Sequence, residues 1–225
     1  HWTVLPIKRA FISMDYGISD SGTDDGSIRV LTRGNIKGGR VTIPPSGGVN
    51  SVDSSLLLAP DDLLFNRTNS PGLVGKVGLF SGHASDVTFA SYLVRLRPHT
   101  RHSPAYLNFV LNENSVLAMA RREAVPSLHQ SNLNPTRYGR LAIALPERAE
   151  QDALLRYISE HTSALDRAVG QAEREIDLIR EYRTRLVADV VMGKVDVQSH
   201  PWAGEGAAPA DDADALAPDA DAAEA

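Results

Sequence analysis

No cysteine occurs in the 225 residues, which excludes a disulfide framework and thiolate metal sites and fits a reducing cytoplasm. No apolar run approaches the roughly 18 residues of a membrane span, and no secretory signal pattern is present. The resources of several catalytic classes are also absent. Gly72-Leu73-Val74-Gly75-Lys76 suggests a phosphate loop, but such a loop would need Gly where Ser70 stands and Ser or Thr where Val77 stands. Without that hydroxyl there is no Mg²⁺ ligand, and the glycines are better read as shaping a hairpin. No G-x-S-x-G elbow occurs, nor any Asp-Pro-Pro-Tyr or Asn-Pro-Pro-Phe segment of the kind that amino-methyltransferases use to hold a flipped base. His99 and His102 have a ligand-like spacing, yet no third donor stands near them in the sequence.

Charge is present but unevenly spread. Residues 1–146 carry 15 Lys/Arg against 10 Asp/Glu, residues 147–200 carry 8 against 11, and residues 201–225 carry none against 7. The overall −5 therefore conceals a mildly basic N-terminal part. From about residue 201 the chain is rich in Ala, Asp and Pro, which predicts a disordered acidic tail that cannot bury enough to fold.

The most regular stretch runs from Glu147 to Met192. Leu154, Ile158, His161, Leu165, Val169, Ala172, Ile176, Ile179, Tyr182, Leu186 and Val190 fall on one stripe of a helix. Charged residues fill the opposite face, with Asp152/Arg156 and Glu181/Arg185 spaced for pairing one turn apart. Gly193-Lys194 is the expected stop. Such a helix would extend roughly 60–70 Å. A small domain covers only part of that length, so the stripe, with Leu154, Ile158, Leu165, Val169, Ile176, Ile179 and Leu186 as its main seam, is expected to meet a partner helix. The competing reading is an amphipathic helix packed on its own domain.

Upstream, strands are expected at Ser27–Leu31, Asp61–Asn66, Lys76–Phe80, Thr88–Leu96 and Leu141–Leu145. A helix is expected to be capped by Ser103, opened by Pro104 and to continue through Leu117. Three segments read as loops concentrate Arg, Lys, Asn and Gln: Arg33–Arg40, Arg67–Lys76 and Arg121–Arg140. Cations of this kind neutralise phosphates, and Asn, Gln and Arg carry the paired donors and acceptors that read base edges. Asn and Ser also commonly bond their own turns, and Arg runs are often solvated faces, so composition alone leaves DNA binding open.

Five landmarks, in order, resemble the specificity subunits of type I restriction–modification enzymes. They are Arg33-Gly34-Asn35-Ile36; Leu64 to Ser70 with Leu73-Val74-Gly75-Lys76; Gln130 to Asn134; Ala142 to Pro146 with Glu150-Gln151; and Arg183 to Leu186 with Met192 to Asp196. The resemblance implies an α+β fold: a globular target recognition domain with a mixed or antiparallel sheet (residues 1–146), then a long coiled-coil spacer or dimerisation helix (147–193) and a C-terminal extension (194–225). It implies double-stranded DNA as ligand, methyltransferase subunits as partners with a restriction subunit as a further one, and a prokaryotic cytoplasmic, nucleoid-associated location. It implies no catalysis and no cofactor in this chain. S-adenosylmethionine would belong to the methyltransferase subunit, ATP and Mg²⁺ to a nuclease subunit.

Family members usually have two such units in tandem, with their helices antiparallel. This chain has one, so it is expected to be either the C-terminal half of a longer subunit or a half-subunit that homodimerises. Expected DNA contacts are Arg33, Asn35, Lys37, Arg40, Arg67, Lys76, Gln130, Asn132 and Arg137. Alternatively, Arg67, Asn69 and Gln130–Asn134 brace the domain's own loops, and the unmatched loops Gly17–Ser27, Pro44–Ser55 and Ser81–Ser85 carry specificity. Two other readings remain: a coiled-coil assembly or scaffold protein with a protein-binding head, and an enzyme whose site is built from scattered residues.

Overall fold

The computed structural model describes residues 1–20, 22–82, 86–127 and 130–195; the acidic tail and the Ser81–Ser85 loop beyond Gly82 lie outside them. In chain order, strands β1 (Thr3–Pro6), β2 (Phe11–Tyr16), β3 (Ile28–Leu31), β4 (Ile36–Lys37), β5 (Arg40–Val41) and β6 (Gly48–Val49) come first. They are followed by β7 (Leu63–Asn66), β8 (Thr68–Asn69), β9 (Val77–Leu79), β10 (Val87–Phe89) and β11 (Leu93–Pro98). Helices α1 (Pro104–Leu111) and α2 (Asn114–Glu123) precede β12 (Val125–Ser127), β13 (Gln130–Asn132), the short α3 (Pro135–Tyr138), β14 (Ala142–Leu145) and the long α4 (Arg148–Val191).

The main sheet has the order β2-β11-β7-β9-β5-β4 and is antiparallel except where β5 lies parallel to β9. A second sheet, β10-β3-β6, contains one parallel pair. Smaller antiparallel sheets are β12-β13-β8 and β1-β14. This is an α+β fold with mixed sheets and a long C-terminal helix.

The middle of the main sheet is covered on both faces. Leu63, Phe65, Val94 and Leu96 point into a core shared with Tyr106, Leu107, Leu111 and Tyr138. The alternate residues Leu64 and Leu93 point into a second core with Leu31, Phe80, Val87 and Phe89. Period-two alternation combined with burial on both sides explains the unbroken apolar runs here. Each such side chain contributes roughly 1.5–3 kcal/mol by leaving water.

Arg95, on the Leu93 face, is 3% exposed. Its guanidinium holds Asp15 at 2.7 Å and the carbonyls of Ser55 and Leu57 at 2.8 and 3.0 Å, tying the loop before β7 to the sheet. Arg97 grips Asp62 through two hydrogen bonds of 2.8 Å. Two of the basic residues counted in the head are thus internal ion-pair members rather than ligands for an outside partner.

Three expectations need revision. Thr88–Leu96 is two strands separated by a turn at Ala90–Tyr92, because β10 pairs with β3 while β11 pairs with β2 and β7. The helix from Pro104 stops at Leu111: Asn112 turns its side chain to the Val77 backbone, accepting at 3.0 Å and donating at 2.9 Å, and Glu113 caps a second helix through Ser115 N at 2.8 Å. Residues 121–140 are largely ordered structure, comprising the end of α2, β12, β13 and α3.

Two compact units divide at Tyr157/Ile158. The first turns of α4 therefore belong with the head. Gln151 is wholly buried there: its carbonyl accepts from Ser103 N at 2.8 Å, and its amide donates to the Pro146 carbonyl at 2.8 Å and to His102 Nδ1 at 3.2 Å. Leu154 and Leu155 pack against the head's own core. Asp152 is engaged by Arg148 at 2.9 Å, one turn back, rather than by Arg156. At its far end α4 closes with Gly193 at φ 71°, Gly193 N bonding Val190 O at 3.0 Å and Lys194 N bonding Asp189 O at 2.8 Å, the two bonds of a Schellman stop.

Candidate nucleic-acid interface

The strand register places the ends of several segments in one row of the sheet. Val94 pairs with Tyr16 on one side and Phe65 on the other, and Phe65 pairs with Val77. Tyr16, the Ser91–Tyr92 turn, Arg67 and Lys76 therefore emerge at the same end. The turn acts as a hub. Tyr92 O accepts from the backbone amides of Arg67 at 3.1 Å and Thr68 at 3.4 Å, while Ser91 O accepts from the Arg67 guanidinium at 3.3 Å. That guanidinium lies 5.3 Å from the Tyr16 ring centre, and the Arg33 guanidinium lies 5.7 Å from that of Tyr92. Both tyrosines are half exposed, at 50% and 48%.

Asn35 supports this end from below. Its side-chain carbonyl accepts from Thr32 N at 2.8 Å and Thr32 Oγ1 at 3.1 Å, closing the short 3-10 turn Arg33–Asn35. The turn holds Arg33 beside Tyr92. Next to it is an open groove of about 510 Å³ walled by Ile18, Asp20, Thr32, Asn35, Ser91 and Tyr92 among others.

Lys37 and Arg40 sit elsewhere. They face one another across the β4–β5 hairpin, both exposed, with Gly38 and Gly39 forming the turn at φ 53° and 73°. Arg40 is level with Leu79, at the other end of β9 from Lys76. The Asn108 side chain on α1 holds the hairpin by donating to Gly39 O at 2.9 Å.

The second and third polar segments join through β8 and β13. Thr68 donates to the Asn132 carbonyl oxygen at 2.7 Å, Leu133 N donates to Arg67 O at 2.7 Å, and Arg121 reaches Gly72 O. Asn69 accepts from Ser70 N at 2.8 Å. Arg67, Asn69 and Asn132 thus each place one side-chain hydrogen bond within the head itself, while the Arg67 Nε is buried without a partner. Gln130 is half-buried beside a hollow of about 300 Å³ walled by Pro71, Val74, Arg121 and Pro126 among others. Lys76 is also half-buried, and Arg137 is exposed on α3 next to the buried Tyr138.

Of the nine expected contacts, Arg33, Asn35 and Arg67 gather around the Ser91–Tyr92 turn, with Lys76 at the same end of the sheet. Lys37 with Arg40, Gln130 with Asn132, and Arg137 occupy three further places. Tyr16 and Tyr92 were not singled out from sequence as ligand-facing. The available signal was an aromatic residue at each of two strand ends, next to Gly17 and Ser91.

Chemically, the surface offers exposed cations for phosphates and half-exposed aromatic faces on which a planar group can stack. His102 does not serve as a ligand in the fold, since its Nδ1 faces Gln151. Burial, with Arg101, His99 and Arg148 adding to it, holds the ring below the ordinary histidine range. No group of three or more His, Asp or Glu able to hold a metal occurs among the described residues. Among them also, no helix is long and apolar enough to cross a membrane.

No protein-family model matches the chain. Over 127 residues it is 25% identical to a protein of Methanocaldococcus jannaschii described as a type I restriction enzyme MjaX specificity subunit, covering 56% of this chain and 29% of that one. The fold resembles the specificity subunit from M. genitalium (TM-score 0.52, 15% identity), covering 84% of this chain and 45% of that one. It resembles the HsdS subunit from Thermoanaerobacter tengcongensis with a TM-score of 0.54 at 17% identity, covering 74% and 39%. A chain from a study of type I restriction–modification complex assembly gives 0.58 at 18% identity, covering 80% and 43%. This chain spans less than half the length of each of these relatives. In sequence over part of its length, and in fold over most of it, the chain resembles the specificity subunits of type I restriction–modification systems.

Proposed function

We propose that this chain is the DNA-reading part of a type I restriction–modification complex, in which the head recognises one half of a bipartite duplex site. In this reading α4 is the spacer that pairs with another helix and presents surface to methyltransferase subunits, with a restriction subunit as a further partner. The reading rests above all on one observation: a specificity-subunit fold whose C-terminal helix leaves its apolar row exposed, from Leu165 at 67% to Leu186 at 41%. The exposed cations Arg33, Lys37, Arg40 and Arg137 would set register on phosphates, and the groove beside Tyr92 would meet base edges. Catalysis is left to partner subunits, with S-adenosylmethionine in the methyltransferase and ATP with Mg²⁺ in the nuclease. The complex works in the cytoplasm of a prokaryote.

Duplex binding measured at increasing salt, with a type I methyltransferase subunit present, tests the proposal. The expected result is a linear fall of log affinity with log salt. A head that never binds duplex under those conditions overturns it. The assembly-protein reading draws on the same exposed helix row, and would then stand in its place.

A further inference from the structure

The walls of the groove beside Tyr92 are set by backbone bonds. Ile18 N donates to Phe89 O at 2.9 Å, and Ile18 O accepts from Ser91 N at 2.7 Å. A few residues on, Thr23 and Gly48 exchange both backbone bonds, at 2.7 and 2.8 Å. Gly17 leaves no room for a Cβ against the Phe89 and Ala90 carbonyls, so this wall lies hard on the Ser91–Tyr92 turn. Between the two anchors in sequence stands Asp20, exposed and on the groove wall. It makes no hydrogen bond or ion pair with any described residue.

One opening therefore holds opposite demands. Arg33, 5.7 Å from the centre of the Tyr92 ring, suits a phosphate, whereas Asp20 repels one. A bare carboxylate on a wall that faces duplex weakens binding until a donor meets it, and the donors in the major groove are the exocyclic amines of the bases. Guanine and thymine present acceptors to a carboxylate, O6 with N7 and O4 respectively. Adenine offers N6–H, but the N7 lone pair beside it repels the second carboxylate oxygen. Cytosine offers N4–H with no acceptor beside it, so it alone satisfies Asp20 without a penalty. Asn35, on the same groove, is the complement. Its carbonyl oxygen accepts from Thr32 N at 2.8 Å and Thr32 Oγ1 at 3.1 Å, which uses both lone pairs, so it has only N–H to offer a ligand. The guanine of a C·G pair presents the acceptors that such a donor needs.

We propose that Asp20 is a specificity-determining residue of the head, selecting one C·G pair of the half-site by accepting from cytosine N4–H in the major groove. The inference rests on the proposed DNA reading and adds which base pair the groove selects. Its test is selection of duplexes from a randomised pool by the full chain with a type I methyltransferase subunit, followed by sequencing. The unsubstituted chain should show a position at which cytosine is preferred about tenfold. Asp20→Ala should flatten that position alone and bind duplexes lacking the cytosine more tightly, since a charge that repels phosphate is gone. Asp20→Asn, which both accepts and donates, should turn the preference there toward adenine. A selected motif that neither substitution changes, or one in which every position weakens together, overturns the role of Asp20 and leaves DNA reading standing. A pool from which no duplex is retained at low salt overturns DNA reading itself, and this inference with it.

Discussion

Gln151, at the root of α4, accepts the backbone amide of Ser103, the N-cap of α1, at 2.8 Å across 48 residues of chain. The same side chain donates to the Pro146 carbonyl and to His102, so one buried amide joins the last helix to the turn that opens the first. Gln151→Ala should cost the head about 2–3 kcal/mol, because it leaves Ser103 N and Pro146 O buried without partners and opens a small cavity. Urea unfolding followed by Trp2 fluorescence measures this; an unchanged midpoint would show that the joint contributes nothing.

His102 makes that joint sensitive to acid. Gln151 Nε2 faces Nδ1 and Arg101 Nε faces Nε2, each at 3.2 Å; the neutral ring accepts from one of these donors, and protonating it would leave neither nitrogen able to accept. The folded-state pKa lies below the ordinary 6.5. Stability from the neutral ring is therefore fully present above about pH 6.5 and falls as pH drops from there toward the folded value, where the unfolded chain binds a proton that the head does not. Urea midpoints taken from about pH 8 to about pH 5 should decline, and His102→Asn should flatten that decline over the upper part of the range.

Asn35 and Lys37 stand two residues apart and should fail differently. Asn35→Ala removes the acceptor for Thr32 N and Oγ1 and should cost about 1 kcal/mol of head stability by loosening the turn that holds Arg33. Lys37→Ala touches no such bond; it should leave stability within about 0.5 kcal/mol while reducing the salt slope of duplex binding by about 1. The pair of measurements separates bracing from phosphate contact.

Tyr138 stacks on Phe65 with ring centres 4.4 Å apart, yet its fully buried hydroxyl has no partner, and burial pushes the phenol well above its usual range. Tyr138→Phe keeps the stack and removes an unsatisfied group, so it should be neutral or stabilising by about 1 kcal/mol. A loss of comparable size would reveal a partner for that oxygen.

On α4, Ile176→Asp combined with Ile179→Asp should abolish helix pairing and leave the head's unfolding midpoint unchanged, as read by sedimentation and thermal melts. A dimer that survives both substitutions would place the seam on another face.

Much of the fold was legible where neighbouring residues alone decide it. The runs Leu63–Asn66 and Leu93–Leu96 are apolar on both faces of a covered sheet, and Ser103-Pro104 is a local helix start. The break at Ala90–Tyr92 was not legible, because it exists only where β10 leaves for β3 and β11 for β7. Nor was β13: Gln130-Ser131-Asn132 is polar enough to read as loop, and it is a strand only because β8, 64 residues earlier at Thr68, pairs with it.

The same division separates the helix from the candidate interface. The length of α4, its stop at Gly193 and its apolar stripe follow from sequence by itself, since helix periodicity and capping act over a few residues. Which polar side chains are available to a ligand was decided by tertiary structure. Arg67, Asn69 and Asn132 carry the same chemistry as Arg33, Lys37 and Arg137, but they are partly or wholly buried and bonded to Ser91, Ser70 and Thr68, and most of those partners are brought near only by the folded chain.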